Sequence, residues 1–315
     1  MEEAVSLTDV TKRFGAFTAV DRLTFRVPAG STYGFLGPNG SGKTTTLRMI
    51  MSIFYPDSGA IRVLGRAAAE EVKDRLGYLP EERGLYKTMR VAELLAYFGA
   101  LKGLSGPEAR RRALDLLGRF GLAEWADKKC QALSKGMGQK VQLLSALIHE
   151  PELMILDEPF SGLDPVNMEV MRDAILQMRR EGRTVIFSTH VMAQAEEICD
   201  AILLIHKGRK VLEGSLREIK AGGPRGIQLD YDGDGSFLRS LPGVARVNDA
   251  GKSAELFLQD GVDPQEILAR LVGRLYIRRF DLSEPSLHEL FVRAVGAGRS
   301  EEHTSELQSP NTQSY

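Results

Sequence analysis

The sequence predicts an α/β domain with a mixed, mostly parallel sheet at its core, an antiparallel β subdomain and a helical insert, followed by a small α+β domain. Three observations carry this. A strand-like run, Ser31 to Leu36, enters a glycine-rich loop and then a helical pattern from about Lys43. Several short runs are continuously apolar, as in strands covered on both faces. Composition then shifts at Lys220-Ala221-Gly222-Gly223-Pro224-Arg225-Gly226, a stretch that reads as a linker.

In chain order, Val5 to Val27 alternates short apolar runs with turn residues and reads as antiparallel strands. Leu76 to Leu79 is a short strand. From Val91 to about Leu133 the pattern is helical, with Val91, Leu94, Leu95 and Phe98 on one face and Leu114, Leu117 and Phe120 likewise aligned. A further helix from Lys135 to about His149 offers Val141, Leu144, Ala146 and Ile148 for burial, so the helical insert spans roughly residues 88–150. Leu153 to Leu156, Thr184 to Phe187 and Ala201 to Ile205 read as buried strands, and the first domain is expected over residues 1–222. The small domain is expected over residues 227–298. Its strands are Ile227 to Tyr231, Ala254 to Leu258 and Leu275 to Phe280. Asp263-Pro264-Gln265-Glu266 is a helix start, with Asp as N-cap and Pro in the first turn. A last helix carries Leu287, Leu290, Phe291, Ala294 and Val295, with Ser283 and Pro285 ahead of it. Residues 299–315 are polar and aperiodic and are expected to be disordered. The run from Arg299 to Ser309 resembles the conceptual translation of a sequencing adapter, and no function is assigned to it.

The bulk numbers exclude several classes. The 315 residues carry 41 basic and 42 acidic side chains, a formal net charge of −1, which gives no basic footprint for nucleic acid or a lipid surface. The two cysteines, Cys130 and Cys199, form no CxxC pattern, so neither a disulfide framework nor a zinc site is expected and a reducing cytoplasm suits the chain. The N-terminus lacks a basic region followed by an apolar core, and no stretch approaches the roughly 18–20 apolar residues of a spanning helix. Action at a membrane would therefore run through a partner.

Gly37-Pro38-Asn39-Gly40-Ser41-Gly42-Lys43-Thr44 fits G-x-x-x-x-G-K-[ST]. Such a loop wraps a polyphosphate with backbone N–H groups, and glycines stand where side chains would collide. The following helix points its positive end at the phosphates. Lys43 would neutralise phosphate charge, Thr44 would offer an oxygen to Mg²⁺, and Thr45 lies beside them. Leu153-Met154-Ile155-Leu156-Asp157-Glu158 is an apolar strand ending in two acids. Asp157 is placed to order Mg²⁺ through water, and Glu158 to act as general base on an attacking water. His190 follows the strand Val185 to Thr189, at the sheet edge where α/β ligands bind, and is expected to hydrogen-bond the γ-phosphate. These elements describe a phosphate-loop (P-loop) NTPase that uses ATP and Mg²⁺.

Leu133-Ser134-Lys135-Gly136-Met137 narrows the reading. It lies about 90 residues after Lys43 and about 23 before Asp157, and over roughly residues 4–220 the chain resembles the ATP-binding subunits of ABC transporters, whose signature is close to LSGGQ. The resemblance implies that two subunits bind head to tail, each ATP lying between the phosphate loop of one and the signature of the other. Ser134, Lys135 and Gly136 would then meet the partner's nucleotide. Asp164, in Ser161-Gly162-Leu163-Asp164, would belong to the loop bridging the two sites. Phe14 would stack on adenine with Val20 packed nearby. Three departures stand out. Glu81 replaces the usual Gln and would add a charge near Mg²⁺. Lys135 replaces a signature Gly, and Met137 replaces its Gln.

The run Pro80 to Tyr86, the LSKGM signature and the ending Phe280 to Phe291 resemble one branch, the ATPases of type-2 ABC exporters. That implies an integral-membrane permease as partner, a second ATP-binding subunit, and a place at the cytoplasmic face of the cell membrane. Glu81 to Tyr86 and the helical insert would receive the permease. The alternative is a soluble ABC ATPase of translation or DNA maintenance. Against it, about 90 residues between loop and signature leave no room for a long coiled coil, each motif occurs once, and zinc cysteines are missing. A binding module without catalysis is unsupported, because Lys43, Asp157, Glu158 and His190 are all present.

Overall fold

Breaks at Gly15 and Gly30 cut residues 3–36 into three strands in the computed structural model, which describes residues 2–67, 69–82, 84–223, 226–259 and 261–295. β1 (Glu3–Phe14) and β2 (Phe17–Pro28) pair antiparallel, and β3 (Thr32–Leu36) leads into α1 (Lys43–Ile50). β4 (Ser58–Val63), which the sequence pattern does not reveal, pairs with the other side of β1. The resulting sheet has the order β2-β1-β4.

β5 (Leu76–Leu79) precedes the helical insert, built from α2 (Val91–Leu101), α3 (Gly106–Arg119) and α4 (Lys135–Leu147). The chain continues through β6 (Leu153–Asp157), α5 (Pro165–Arg180), β7 (Thr184–Thr189), α6 (Met192–Ile198), β8 (Ala201–His206) and β9 (Arg209–Ser215). These strands and β3 form a six-stranded sheet in the order β5-β6-β7-β3-β8-β9, parallel except for β9. β3, β6 and β7 are buried at every position, which is why they read as continuous apolar runs. Phe25, Phe35, Leu47, Ile50, Leu76 and Ile155 join one core between the two sheets and α1, each contributing about 1.5–3 kcal/mol by burial. Because β3 lies beside β7, and β7 beside β6, the loops after all three strands open on one edge.

The insert has its own core, in which Val91, Leu94, Leu95, Leu117, Val141, Leu144 and Ile148 are buried and Phe98 and Phe120 pack at its margin. Leu114 departs from expectation and is exposed. The face that α3 buries is Ala109, Ala113 and Leu117, because the two alanines let α3 lie close against its neighbours and turn Leu114 outward.

The chain divides into two units between Ser215 and Leu216, ahead of the glycine-rich stretch read as the linker. The second unit holds α7 (Leu216–Ala221), β10 (Gly226–Asp232), β11 (Val244–Asp249), β12 (Ser253–Leu258), α8 (Pro264–Leu271) and β13 (Tyr276–Ser283). Its antiparallel sheet runs β11-β12-β10-β13 over a core of Ile227, Leu229, Leu256, Ile267 and Leu271. Asp263 caps α8, accepting from the Gln265 N–H at 2.9 Å, with Pro264 at the first helical position. A last helix spans residues 287–295. Ser286 starts it: its N–H donates to Glu289 Oε2 at 2.9 Å and its hydroxyl accepts from the Glu289 N–H at 3.2 Å. Pro224, Arg225 and the tail from residue 296, including the stretch expected to be disordered, lie outside the described residues. Among those described, no helix is long and apolar enough to cross a membrane.

Candidate active site

The glycines of the phosphate loop take conformations that side chains resist. Gly37 has φ 151°, Gly40 76° and Gly42 106°. A Cβ on Gly37 would overlap the carbonyl of Ile205, and one on Gly42 would lie 2.5 Å from the carbonyl oxygen of Ala19. The loop is thereby wedged against β8 on one side and β2 on the other. Buried Lys43 folds over it, its Nζ donating to the carbonyls of Gly37 at 2.8 Å and Pro38 at 3.2 Å.

The two acids ending β6 stand opposite this loop. Asp157 Oδ1 accepts from Thr44 Oγ1 at 3.2 Å and from Ser188 Oγ at 2.6 Å. Ser188 in turn accepts from the Glu158 N–H at 2.9 Å. One carboxylate oxygen of Glu158 lies 3.6 Å from Lys43 Nζ, and the other hydrogen-bonds Nδ1 of His190 at 3.0 Å. Glu158 has φ 48°, a conformation unusual for a residue with a Cβ. It precedes Pro159, which disfavours the ordinary helical conformation there.

The site has vacant bonding capacity suited to a phosphate and a cation. Asp157 Oδ2, Glu158 Oε1 and Ser41 Oγ are buried without a hydrogen-bond partner among the described residues. Buried polar atoms left so cost about 1–3 kcal/mol each, an expense common at sites that complete their bonding with a ligand. Thr44 and Asp157 can hold a Mg²⁺ ion, whose remaining positions suit phosphate oxygens and water. Among the described residues no cluster of three acidic, His or Cys side chains forms a metal site without such help.

A cleft of about 360 Å³ opens here, lined by Asn39, Gly40, Gly42, Lys43, Thr44, Thr45, Phe17, Ala19, Glu81 and Glu158. Glu81 thus faces the phosphate loop. Phe14 is exposed, its ring edge-on to Phe54 at 5.6 Å, and it does not line this cleft; Phe17, paired with it across the β1–β2 turn, does. Val20 is buried in the core beneath Gly42, and its neighbour Ala19 reaches the cleft.

The signature forms the start of α4. Ser134 is its N-cap, accepting from the Met137 N–H at 3.3 Å. Ser134 and Lys135 are exposed and Gly136 is buried, and none of the three lines the cleft on its own chain. Asp164 caps α5 and accepts from the Asn167 N–H at 3.0 Å. The hydrogen bonds from Asn167 hold the Asp164 carboxyl below its usual range. Ser188, Phe17 and Asn167 escape the sequence reading. Ser188 becomes visible only once β7 is known to lie beside β6, in a register that pairs it with Asp157.

The chain is similar to known proteins over much of its length. The profile of the ABC transporter family matches residues 20–161. YhaQ of Bacillus subtilis, an ABC transporter ATP-binding protein, is 42% identical over 294 residues, covering 93% of this chain and 99% of its own. The chain belongs to the ATP-binding proteins of ABC transporters. It is an ATPase subunit, and its α/β core with phosphate loop is the cassette of that family. A profile described as the C-terminal domain of DrrA1-3-like ATP-binding proteins matches residues 214–295 of this ABC protein. The Nod factor export ATP-binding protein I of Burkholderia lata is 35% identical over 299 residues, covering 93% of this chain and 97% of its own. A solved ATP-binding subunit of an ABC transporter superposes with a TM-score of 0.64 at 32% identity, over 69% of this chain and 92% of that one.

Proposed function

We propose that the chain is the motor of an exporter. Two copies, or this chain and a relative, close head to tail around two ATP molecules and drive a type-2 integral-membrane permease from the cytoplasmic face of the membrane, without a role for nucleic acid. The observation that carries this is the split site. The phosphate loop and Glu158 line one cleft, with Asp157 and His190 hydrogen-bonded to Thr44 and Glu158 in its wall, while the exposed Ser134 and Lys135 have no part in that lining. A second subunit completes the cleft.

In this reading the phosphate-loop N–H groups and Lys43 hold the β- and γ-phosphates. Thr44 and Asp157 hold Mg²⁺, with Glu81 near it, and the ion neutralises phosphate charge. Glu158 takes a proton from the attacking water, with general-base assistance on the order of 10²–10⁴ in rate. His190 orients Glu158 and contacts the γ-phosphate. Phe14 stacks on adenine beside the cleft wall of Phe17 and Ala19, with Val20 packed in the core beneath. Ser134, Lys135 and Gly136 clamp the partner's γ-phosphate, and Asp164 bridges the two sites.

Permease docking is supported by an exposed aromatic group at the insert. Tyr86 and Tyr97 are exposed and meet edge-on at 6.1 Å, and Phe98 packs 5.7 Å from Tyr97. Such a surface suits an amphipathic segment of a membrane partner. Export is favoured by the relative described as a Nod factor export ATP-binding protein. A detergent pull-down of Glu158→Gln protein with ATP tests the proposal. A stoichiometric multi-span membrane protein supports the motor reading; only ribosomal or DNA-repair partners would move the function to a soluble ABC ATPase.

A further inference from the structure

Gly136 is the second residue of α4, and its Cα faces the side chain of Asn167 on α5. A Cβ there would overlap the Asn167 carboxamide, lying 2.8 Å from Cγ. The same carboxamide donates through Nδ2 to Asp164 Oδ2 at 2.5 Å, while the Asn167 backbone N–H donates to Asp164 Oδ1 at 3.0 Å. Asp164 therefore receives a backbone and a side-chain hydrogen bond from one residue, and that residue is seated on the signature turn. Asn167 is half-buried, three residues into its helix, where its own N–H is one of the donors that a cap must satisfy.

We infer that Asn167 is a positioning residue: it sets the spacing between the signature turn at Ser134–Gly136 and the loop at Asp164, so that both reach the partner subunit's nucleotide together. The requirement for glycine at 136 follows from the same contact, since any side chain there must expel the carboxamide that holds Asp164. Asn167 itself touches no reacting atom. Its effect is on assembly of the two-subunit site, and the inference rests on the head-to-tail reading above.

The test uses the full chain with Glu158→Gln, so that ATP accumulates unhydrolysed. Two quantities are measured: binding of a fluorescent ATP analogue to dilute protein, and ATP-dependent dimerisation by analytical ultracentrifugation. Asn167→Ala is expected to leave analogue binding within about twofold and to weaken dimerisation about tenfold or more, a difference of about 1.4 kcal/mol. Asn167→Asp, which keeps the shape but loses the side-chain donor, is expected to fail likewise. Gly136→Ala is expected to weaken dimerisation too, and the double variant Gly136→Ala/Asn167→Ala to be no worse than Asn167→Ala alone. Unchanged dimerisation in Asn167→Ala, or additive losses in the double variant, overturns the inference. So does loss of analogue binding in both Asn167 variants, because it means that the residue supports the phosphate loop's own fold. Absence of dimerisation in the Glu158→Gln parent overturns the head-to-tail reading itself, and the inference with it.

Discussion

His190 Nδ1 lies 3.0 Å from one carboxylate oxygen of Glu158, and the other oxygen lies 3.6 Å from Lys43. The carboxylate is thus held between two nitrogen groups that belong, in sequence, to opposite ends of the domain. Glu158→Gln keeps the shape and loses the basicity. Steady-state hydrolysis is expected to fall at least about a hundredfold, with an ATP-bound dimer trapped. Unchanged turnover would remove Glu158 as the base.

Lys43 is buried and donates to two loop carbonyls, which fix its charge against the phosphate loop. Lys43→Ala removes the cation that the phosphates meet. Equilibrium dialysis with labelled ATP is expected to show loss of retention, and normal binding would contradict the loop's assignment.

Ser188 is the hinge of the acid pair, donating to Asp157 and accepting from the backbone of Glu158. Ser188→Ala leaves two buried groups short of a partner, worth about 1–3 kcal/mol. Turnover is expected to drop by about tenfold or more, with a lower melting temperature. Ser188→Thr retains the hydroxyl and should recover part of both; equal loss in the two variants would show that packing, rather than hydrogen bonding, matters at this position.

His149 couples stability to pH. Its Nε2 bonds the Leu76 carbonyl at 2.9 Å, and Nδ1 is buried without a hydrogen-bond partner among the described residues, so a second proton finds no acceptor among them. Burial accordingly lowers its pKa below 6.5. The unfolded chain takes up this proton near pH 6.5 and the folded chain only at lower pH, so stability is lost as pH falls from about 6.5 toward the folded value. The melting temperature of His149→Gln is expected to fall less than wild type between pH 7.5 and 5.5. Parallel curves would exclude the coupling.

Most of the site is legible in the sequence because phosphate binding leaves contiguous marks. Gly37 to Thr44 and Leu153 to Glu158 each carry their chemistry within one turn or one strand end. What escapes depends on pairing across distance. Ser188 gains its role from β7 lying beside β6, and Asn167 from α5 meeting α4. The missed strands have a related cause. β4, β9 and β11 are partly exposed edges, so their sequences show no sustained apolar run. Leu114 aligns with Leu117 by helical period alone, and period cannot distinguish a leucine facing the core from one displaced by alanines that pack closer.

The backbone of Glu158, at φ 48°, places this chain on one side of a trade between durability and turnover. Non-glycine residues in such a conformation cost about 1–3 kcal/mol, and here the cost falls on a carboxylate that is also withdrawn from water. Selection for a longer-lived fold that relaxed this position would meet resistance there from the rate of the reaction.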